Sequence, residues 1–338
     1  MSKPDIILEI EKSIGFSLPE ITLDEKGNFQ DWDMGKFVSY KPGTRGYVVD
    51  QENQIIALAL DYIHEGWIPW EVVFQGLPHL QKLSLRGSLH SWPKIPHQWK
   101  QLEELRIGYN TQLIDYTFLE ELTSLTSLDL SENKQINNYN FLCRLALLTS
   151  LDLSGNNLRN GKFLSELTRL TSLDLSLNNL SNGDFLRELI YLTSLNLNSN
   201  KQIRDYNFLV DLTRLTSLSL NWNNLSNGEF LCELTHLTSL SLSWNNLRNG
   251  DFLGGLTSLT SLDLRSNEQI KDYGFLGGLT RLTSLDLSGN NLSNWDFLRD
   301  LTHLISLDLS GNNLSNPPRK SPLRRLFQLK ESEVKSVN

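Results

Sequence analysis

The chain has 338 residues, with 31 Lys and Arg against 39 Asp and Glu, a formal charge of −8 and a pI near 5.3. That balance lacks the basic footprint that nucleic acids and anionic membranes require, so neither is expected as a partner. No apolar run approaches the roughly 18 residues of a membrane helix. The first residues, MSKPDIILEIEKSIG, mix acids with apolar residues, so no signal peptide is expected.

In chain order, Ile6, Ile7, Ile10 and Ile14 fall at helical spacing, with Ser2 and Asp5 near the start and Gly15 as a stop. A looser stretch follows. Then YVVDQENQIIALAL reads as a hairpin leading into a first strand, Leu58-Ala59-Leu60. We expect an N-terminal cap over 1–46, a repeat array over 47–322, and a degenerate last copy with a frayed end over 323–338.

The array is explicit. Leu122, Leu145, Leu167, Leu189, Leu212, Leu234, Leu256, Leu279 and Leu301 each open a copy of L-x-x-L-x-S-L-x-L-x-x-N, at intervals of 22 or 23 residues. Weaker copies start at Leu77 and Trp99, and a divergent one covers Tyr47 to Gly76. In Leu128-Asp129-Leu130 the alternation puts both leucines on one face of a short strand and the aspartate on the other. Identical strands then pair in parallel, and the asparagines from Asn133 to Asn312 end them with amides that can satisfy buried backbone groups. A phenylalanine column from Phe118 to Phe297 is expected to form a spine of stacked rings on the return path. The 23-residue copies carry Tyr139, Tyr206 and Tyr273, which recur every 67 residues and suggest triplets of repeats.

The motif L-x-x-L-x-x-L-x-L-x-x-N-x-L with a 22-residue period resembles the leucine-rich repeat. The F-L-x-x-L return segment looks like the class found in internalins and the phosphatase-one regulatory subunit. That resemblance implies an α/β-type solenoid. Its arc would have one long parallel β-sheet on the concave face, loops and short 3-10 turns on the convex face, and a helical N-terminal cap. The short helix, G-Y-x-x-D element and I-x-x-L-x-L strand near the N-terminus also resemble the start of leucine-rich domains in bacterial Roco proteins. Those proteins continue into a GTPase domain, whereas no G-x-x-x-x-G-K-[ST] loop occurs in this sequence.

Cys143 and Cys232 occupy equivalent positions four copies apart, roughly 19 Å if strands stack about 4.8 Å apart. A disulfide needs about 7 Å or less between Cα atoms. Without disulfides a cytoplasmic setting is expected, though export of such a protein stays open. The six histidines, His64, His79, His90, His97, His236 and His303, accompany no H-E-x-x-H, paired C-x-x-C or nucleophile elbow. No enzyme, metal site or cofactor is expected.

Side chains facing away from the leucines form three columns. The first is almost all serine. The second runs Asp129, Asp152, Asp174, then Asn196, Ser219, Ser241, then Asp263, Asp286, Asp308. The third runs Ser131, Ser154, Ser176, Asn198, Asn221, Ser243, Arg265, Ser288, Ser310. Where the acids lapse, Asn221, Trp222, Trp244 and Arg265 appear, a neutral and aromatic centre between acidic tracts of the kind that marks interfaces. The expected partner-binding set is therefore Trp222, Trp244, Asn221, Arg265 and Asn196 with Asp129, Asp152, Asp174, Asp263, Asp286 and Asp308. Alternatively each indole folds over the strand edge and covers leucines, and each aspartate is simply a tolerated, solvated residue.

The function expected is a non-enzymatic, monomeric scaffold that binds a protein, one with a basic surface, through its sheet face. The alternative implied by both resemblances is a regulatory or sensor arm acting on a separate GTPase or phosphatase. Ice or surface binding by the serine rows is disfavoured, because aspartate hydrates strongly. The tail SNPPRKSPLRRLFQLK is basic, but Leu323, Leu326 and Leu329 keep register and Glu331 suits a closing strand.

Overall fold

A computed structural model describes residues 3–21, 45–87, 89, 91 and 97–314. The expected cap loop, His90 and the closing copy with Leu323, Leu326, Leu329 and Glu331 lie outside the described residues. The chain divides into two compact units, 1–178 and 179–338.

The first unit opens with helix α1 (Asp5–Ile14), which buries Ile7, Ile10 and Ile14. Gly15 ends it in a left-handed conformation, its N–H donating to the Glu11 carbonyl. Strands β1 (Arg45–Val49) and β2 (Ile55–Leu60) form the expected antiparallel hairpin, so β1 straddles the 46/47 boundary. Asp50 organises its turn by accepting the N–H groups of Glu52 and Gln54. Helix α2 (Trp70–Gly76) packs against α1. Parallel pairing then runs from β2 through β3 (Lys82–Ser84), β4 (Glu104–Arg106), β5 (Ser127–Asp129) and β6 (Ser150–Asp152) to β7 (Ser172–Asp174).

The second unit holds β8 (Ser194–Asn196), β9 (Ser217–Ser219), β10 (Ser239–Ser241), β11 (Ser261–Asp263), β12 (Ser284–Asp286) and β13 (Ser306–Asp308), also parallel and in sequence order. Register is set by the repeat, with Leu218 opposite Leu240 and Leu240 opposite Leu262. Short 3-10 turns such as Asn207–Asp211 and Gly274–Gly278 carry the return path. The inward leucines are almost wholly buried as far as β12, while Leu307 and Leu309 of the last described copy are half-buried.

From β4 onward each strand ends on an asparagine of the ladder, whereas Ile63 and Ser88 stand in its place after β2 and β3. The backbone N–H of Asn133 donates to Asn156 Oδ1 (2.8 Å) in the next copy, while Asn133 Nδ2 donates to the Leu130 carbonyl and to Ile107 one copy back. The same exchange links Asn110, Asn133, Asn156 and Asn178 in the first unit, and Asn200 with Asn223 and Asn267 with Asn290 in the second. One side-chain amide thus satisfies groups in its own copy and in the one before.

The phenylalanine spine differs from expectation. Rings pair tyrosine to phenylalanine: Tyr139 stacks on Phe163 at 4.7 Å, and Tyr206 on Phe230 at 5.3 Å. Where the tyrosine is replaced by Gly183, Gly228 or Gly250, the next copy's Phe208, Phe252 or Phe275 lies over it, and a Cβ there would overlap the ring. The tyrosine/glycine alternation therefore decides whether the return wall gains a ring or receives one.

Asn156→Ala strands the Asn133 N–H in the interior and removes one of the two donors to the Leu130 carbonyl. At about 1–3 kcal/mol for an unsatisfied group, the urea midpoint followed by circular dichroism should fall by the equivalent of about 1–3 kcal/mol.

Candidate protein-binding site

The position before the buried asparagine looks tolerant in sequence, but its backbone is fixed. It is left-handed in every copy: Tyr62, Gly87, Tyr109, Glu132, Gly155 and Leu177 in the first unit, and Ser199, Trp222, Trp244, Ser266, Gly289 and Gly311 in the second. The cause is geometric. The N–H of this residue still extends the ladder, as Trp222 donates to the Ser243 carbonyl (3.0 Å) and Trp244 to Arg265 (2.8 Å). Immediately afterwards the chain must turn so that asparagine points inward, and a positive φ makes that corner.

Glycine suits the corner, whereas a side chain there adds strain of about 1 kcal/mol. Trp222 and Trp244 nevertheless occupy it, at φ 61° and 55°. Their rings stack in parallel at 4.3 Å with 9° between planes, and they remain 43% and 45% exposed. Lys201 Nζ lies 5.8 Å from the Trp222 ring centroid. Nearly half of each indole therefore stays in water. Their stacking, about 0.5–1.5 kcal/mol, is of the same size as the strain of their backbone.

The acidic column differs from the surface expected. Asp129 and Asp174 are only 6% and 7% exposed, and Asn196 only 2%, so these three offer little surface and serve the sheet itself. Their oxygens cap the strand ends: Asp129, Asp152, Asp174, Asp263, Asp286 and Asp308 each accept the backbone N–H two residues on. Asn196 does the same for Asn198. Serine is too short for that reach, and the gap at Ser219 and Ser241 is filled from one copy earlier. Asn198 Oδ1 accepts the Asn221 N–H and the Ser219 hydroxyl, and Asn221 Oδ1 accepts the Ser243 N–H and the Ser241 hydroxyl, all at 2.7 Å. Asn221 is thus half-buried and engaged in holding the sheet.

Arginines of the chain itself answer the acids. In the first unit Arg86 Nε lies 3.5 Å from Asp129 Oδ2, and buried Arg106 pairs with Glu104 at 3.2 Å. In the second unit Arg265 binds Asp286 through Nε and Nη2 at 3.1 and 2.6 Å. Sequence reading missed a second aromatic group at the same left-handed position, Tyr62 and Tyr109, whose rings are 6.5 Å apart, with Arg86 4.9 Å over Tyr109. The signal was the sequence pair L-D-Y and I-G-Y, obscured because these copies depart from the consensus.

No three His, Cys, Asp or Glu side chains are grouped to hold a metal among the described residues. No helix there is long and apolar enough to cross a membrane. Cys143 and Cys232 are free and exposed. What unit 179–338 presents is an exposed indole pair, flanked by a lysine and by arginine-bridged carboxylates.

Family models described as leucine-rich repeats match residues 121–138, 147–170, 233–250, 255–274 and 280–319. Those stretches carry leucine-rich repeats. The chain's structural neighbours are of the internalin type. One is a Listeria monocytogenes internalin (InlF) with 27% identity and a TM-score of 0.66, the match covering 78% of each chain. The functional domain of Listeria monocytogenes InlJ is 22% identical, with a TM-score of 0.57 over 78% of this chain and 64% of that one. A Leptospira interrogans leucine-rich-repeat protein is 23% identical, with a TM-score of 0.57 over 80% and 81%; these two speak for the fold alone. No curated protein matches the sequence. The fold is a scaffold of the kind typical of protein–protein interaction.

Two outcomes test this geometry. Replacing Trp222 and Trp244 together by glycine removes the stack and the strain at once, and with them the packing of the covered part of each ring, so the thermal midpoint should fall by the equivalent of about 1–3 kcal/mol with the fold retained. Asp152 sits between Asp129 and Asp174 on paired strands, and burial, then Asp174 and Asp129, raise its pKa well above 3.8. A carboxyl raised in the folded state opposes folding once ionised, and the penalty disappears as pH falls through the raised value toward 3.8. Asp152→Asn can keep the cap as Asn196 does. Urea titration should therefore find it more stable than the parent by about 1 kcal/mol at pH 7, with the advantage shrinking at pH 4.

Proposed function

We propose that the chain is a non-catalytic scaffold that recruits a protein partner through the edge of its sheet in unit 179–338, with Trp222 and Trp244 at the centre. The observation that carries this reading is the indole pair itself, half-exposed and held at a backbone position where side chains are strained. Glycine, which relaxes the corner, fills it in four copies, and the paired indoles take it in two. A stacked, exposed aromatic pair at such a position is explained by contact with something outside the chain, since desolvating tryptophan contributes heavily to interfaces.

Arg265 and the half-buried Asp263, Asp286 and Asp308 serve as the polar surround. Asn221, next to Trp222 in the chain, ties its copy to Ser241 and Ser243 of the following one. The scaffold reading needs no cofactor and no residue acting as acid, base or nucleophile. A partner with a basic contact surface fits the carboxylates of this face and would be steered toward it.

The experiment is affinity capture with the parent chain and with the Trp222→Gly, Trp244→Gly double variant. Glycine is chosen because it relaxes the corner that alanine would leave strained. A specific partner should bind the variant at least about 100-fold more weakly, as expected when two central aromatics are removed. If every partner captured by the parent binds the folded variant equally well, the site is wrong.

A further inference from the structure

The indole stack is closed at one end and open at the other. Lys201, two residues after Ser199 in the copy before Trp222, sits over the Trp222 ring. On its other face Trp222 meets Trp244. Among the described residues Trp244 stacks on no other ring, and its backbone N–H donates to the Arg265 carbonyl. Side chains at this left-handed column lean toward the following copy: Glu132 covers Gly155, Tyr62 covers Gly87, and Ser266 approaches Gly289. The copy following Trp244 offers Ser266, then Gly289 and Gly311, so nothing bulky in the column covers the outer indole face.

The charge at the open end is reversed. Lys134, Lys201 and Glu268 occupy the same position of successive 23-residue copies. Lys134 pairs with Glu132 in its own copy at 2.9 Å, and Lys201 reaches the indole of the next copy. Side chains at this position therefore reach the left-handed column. Glu268 is exposed, with neither hydrogen bond nor ion pair among the described residues. The series reads cation, indole, indole, open face, carboxylate.

We infer that the open face of Trp244 receives an arginine side chain of the protein partner, stacked on the indole and paired with Glu268. This rests on the proposed function and specifies the chemistry of its partner. The electron-rich face of an indole attracts cations, guanidinium most readily because it also stacks. A carboxylate in the copy that this face looks toward, where the other end of the stack has an ammonium, selects for positive charge. Leucine would leave Glu268 unpaired at the contact, and glutamate would meet it with like charge.

The test uses the full chain and three terminally blocked peptides, Gly-Arg-Gly, Gly-Leu-Gly and Gly-Glu-Gly, followed by the indole N–H resonances. Trp67, 60% exposed and in the other unit, is the internal reference. Gly-Arg-Gly should shift Trp244 at about fivefold lower concentration than Trp67. That preference should vanish in Glu268→Lys, where the chain supplies its own cation. Equal response of Trp244 and Trp67, or a response to Gly-Leu-Gly as strong as to Gly-Arg-Gly, would overturn the inference. The two proposals separate cleanly with a captured partner. Loss of binding in the double glycine variant but not in Glu268→Lys removes the arginine and keeps the site, whereas retention in the double glycine variant removes the site.

Discussion

Everything in this protein depends on one corner. At the end of each strand from β4 onward the chain must leave the ladder, turn inward and bury a polar amide. Left-handed backbone at one residue and the asparagine at the next accomplish this together. Neither works alone. Without the left-handed residue the amide points to water, and without the amide two neighbouring copies keep unsatisfied backbone groups in a leucine interior. Leucine burial supplies the driving force, but the corner decides where each copy stops and how it meets the next.

This constraint explains why the fold was legible and the site only partly so. Leucine spacing, the asparagine ladder, the α1 helix and the hairpin before β2 follow from periodicity and local chemistry, which a sequence displays directly. Glu132, Leu177, Ser199 and Trp222 at one position look like freedom. Gly87, Gly155, Gly289 and Gly311 among them were the sign of a conformational requirement. Likewise Asn198 and Asn221 look like replacements for serine in their own column. Their meaning lies one copy away, where Ser219 and Ser241 have lost the carboxylate that capped the strand. Repeats aligned on top of each other hide such offset pairs.

The acidic column shows the same economy. Its carboxylates serve backbone N–H groups first, and the like charge that accumulates is relieved by Arg86 in one unit and Arg265 in the other. What remains for a partner is confined to the strand edge. The indole pair, the lysine behind it and the carboxylate ahead of it are all side chains that the corner tolerates without depending on them. Protein contact can therefore be tuned there while the sheet stays unchanged.

The one-way exchange of the asparagine ladder has a mechanical corollary. Each asparagine is completed by its neighbours on both sides, so a copy in the middle of a run cannot open without exposing groups in two others. A copy at the end of a run owes this debt to a single neighbour. Under tension, a run of this kind should surrender its copies one at a time from an end, like a zip fastener, giving a sawtooth of similar force steps rather than a single rupture.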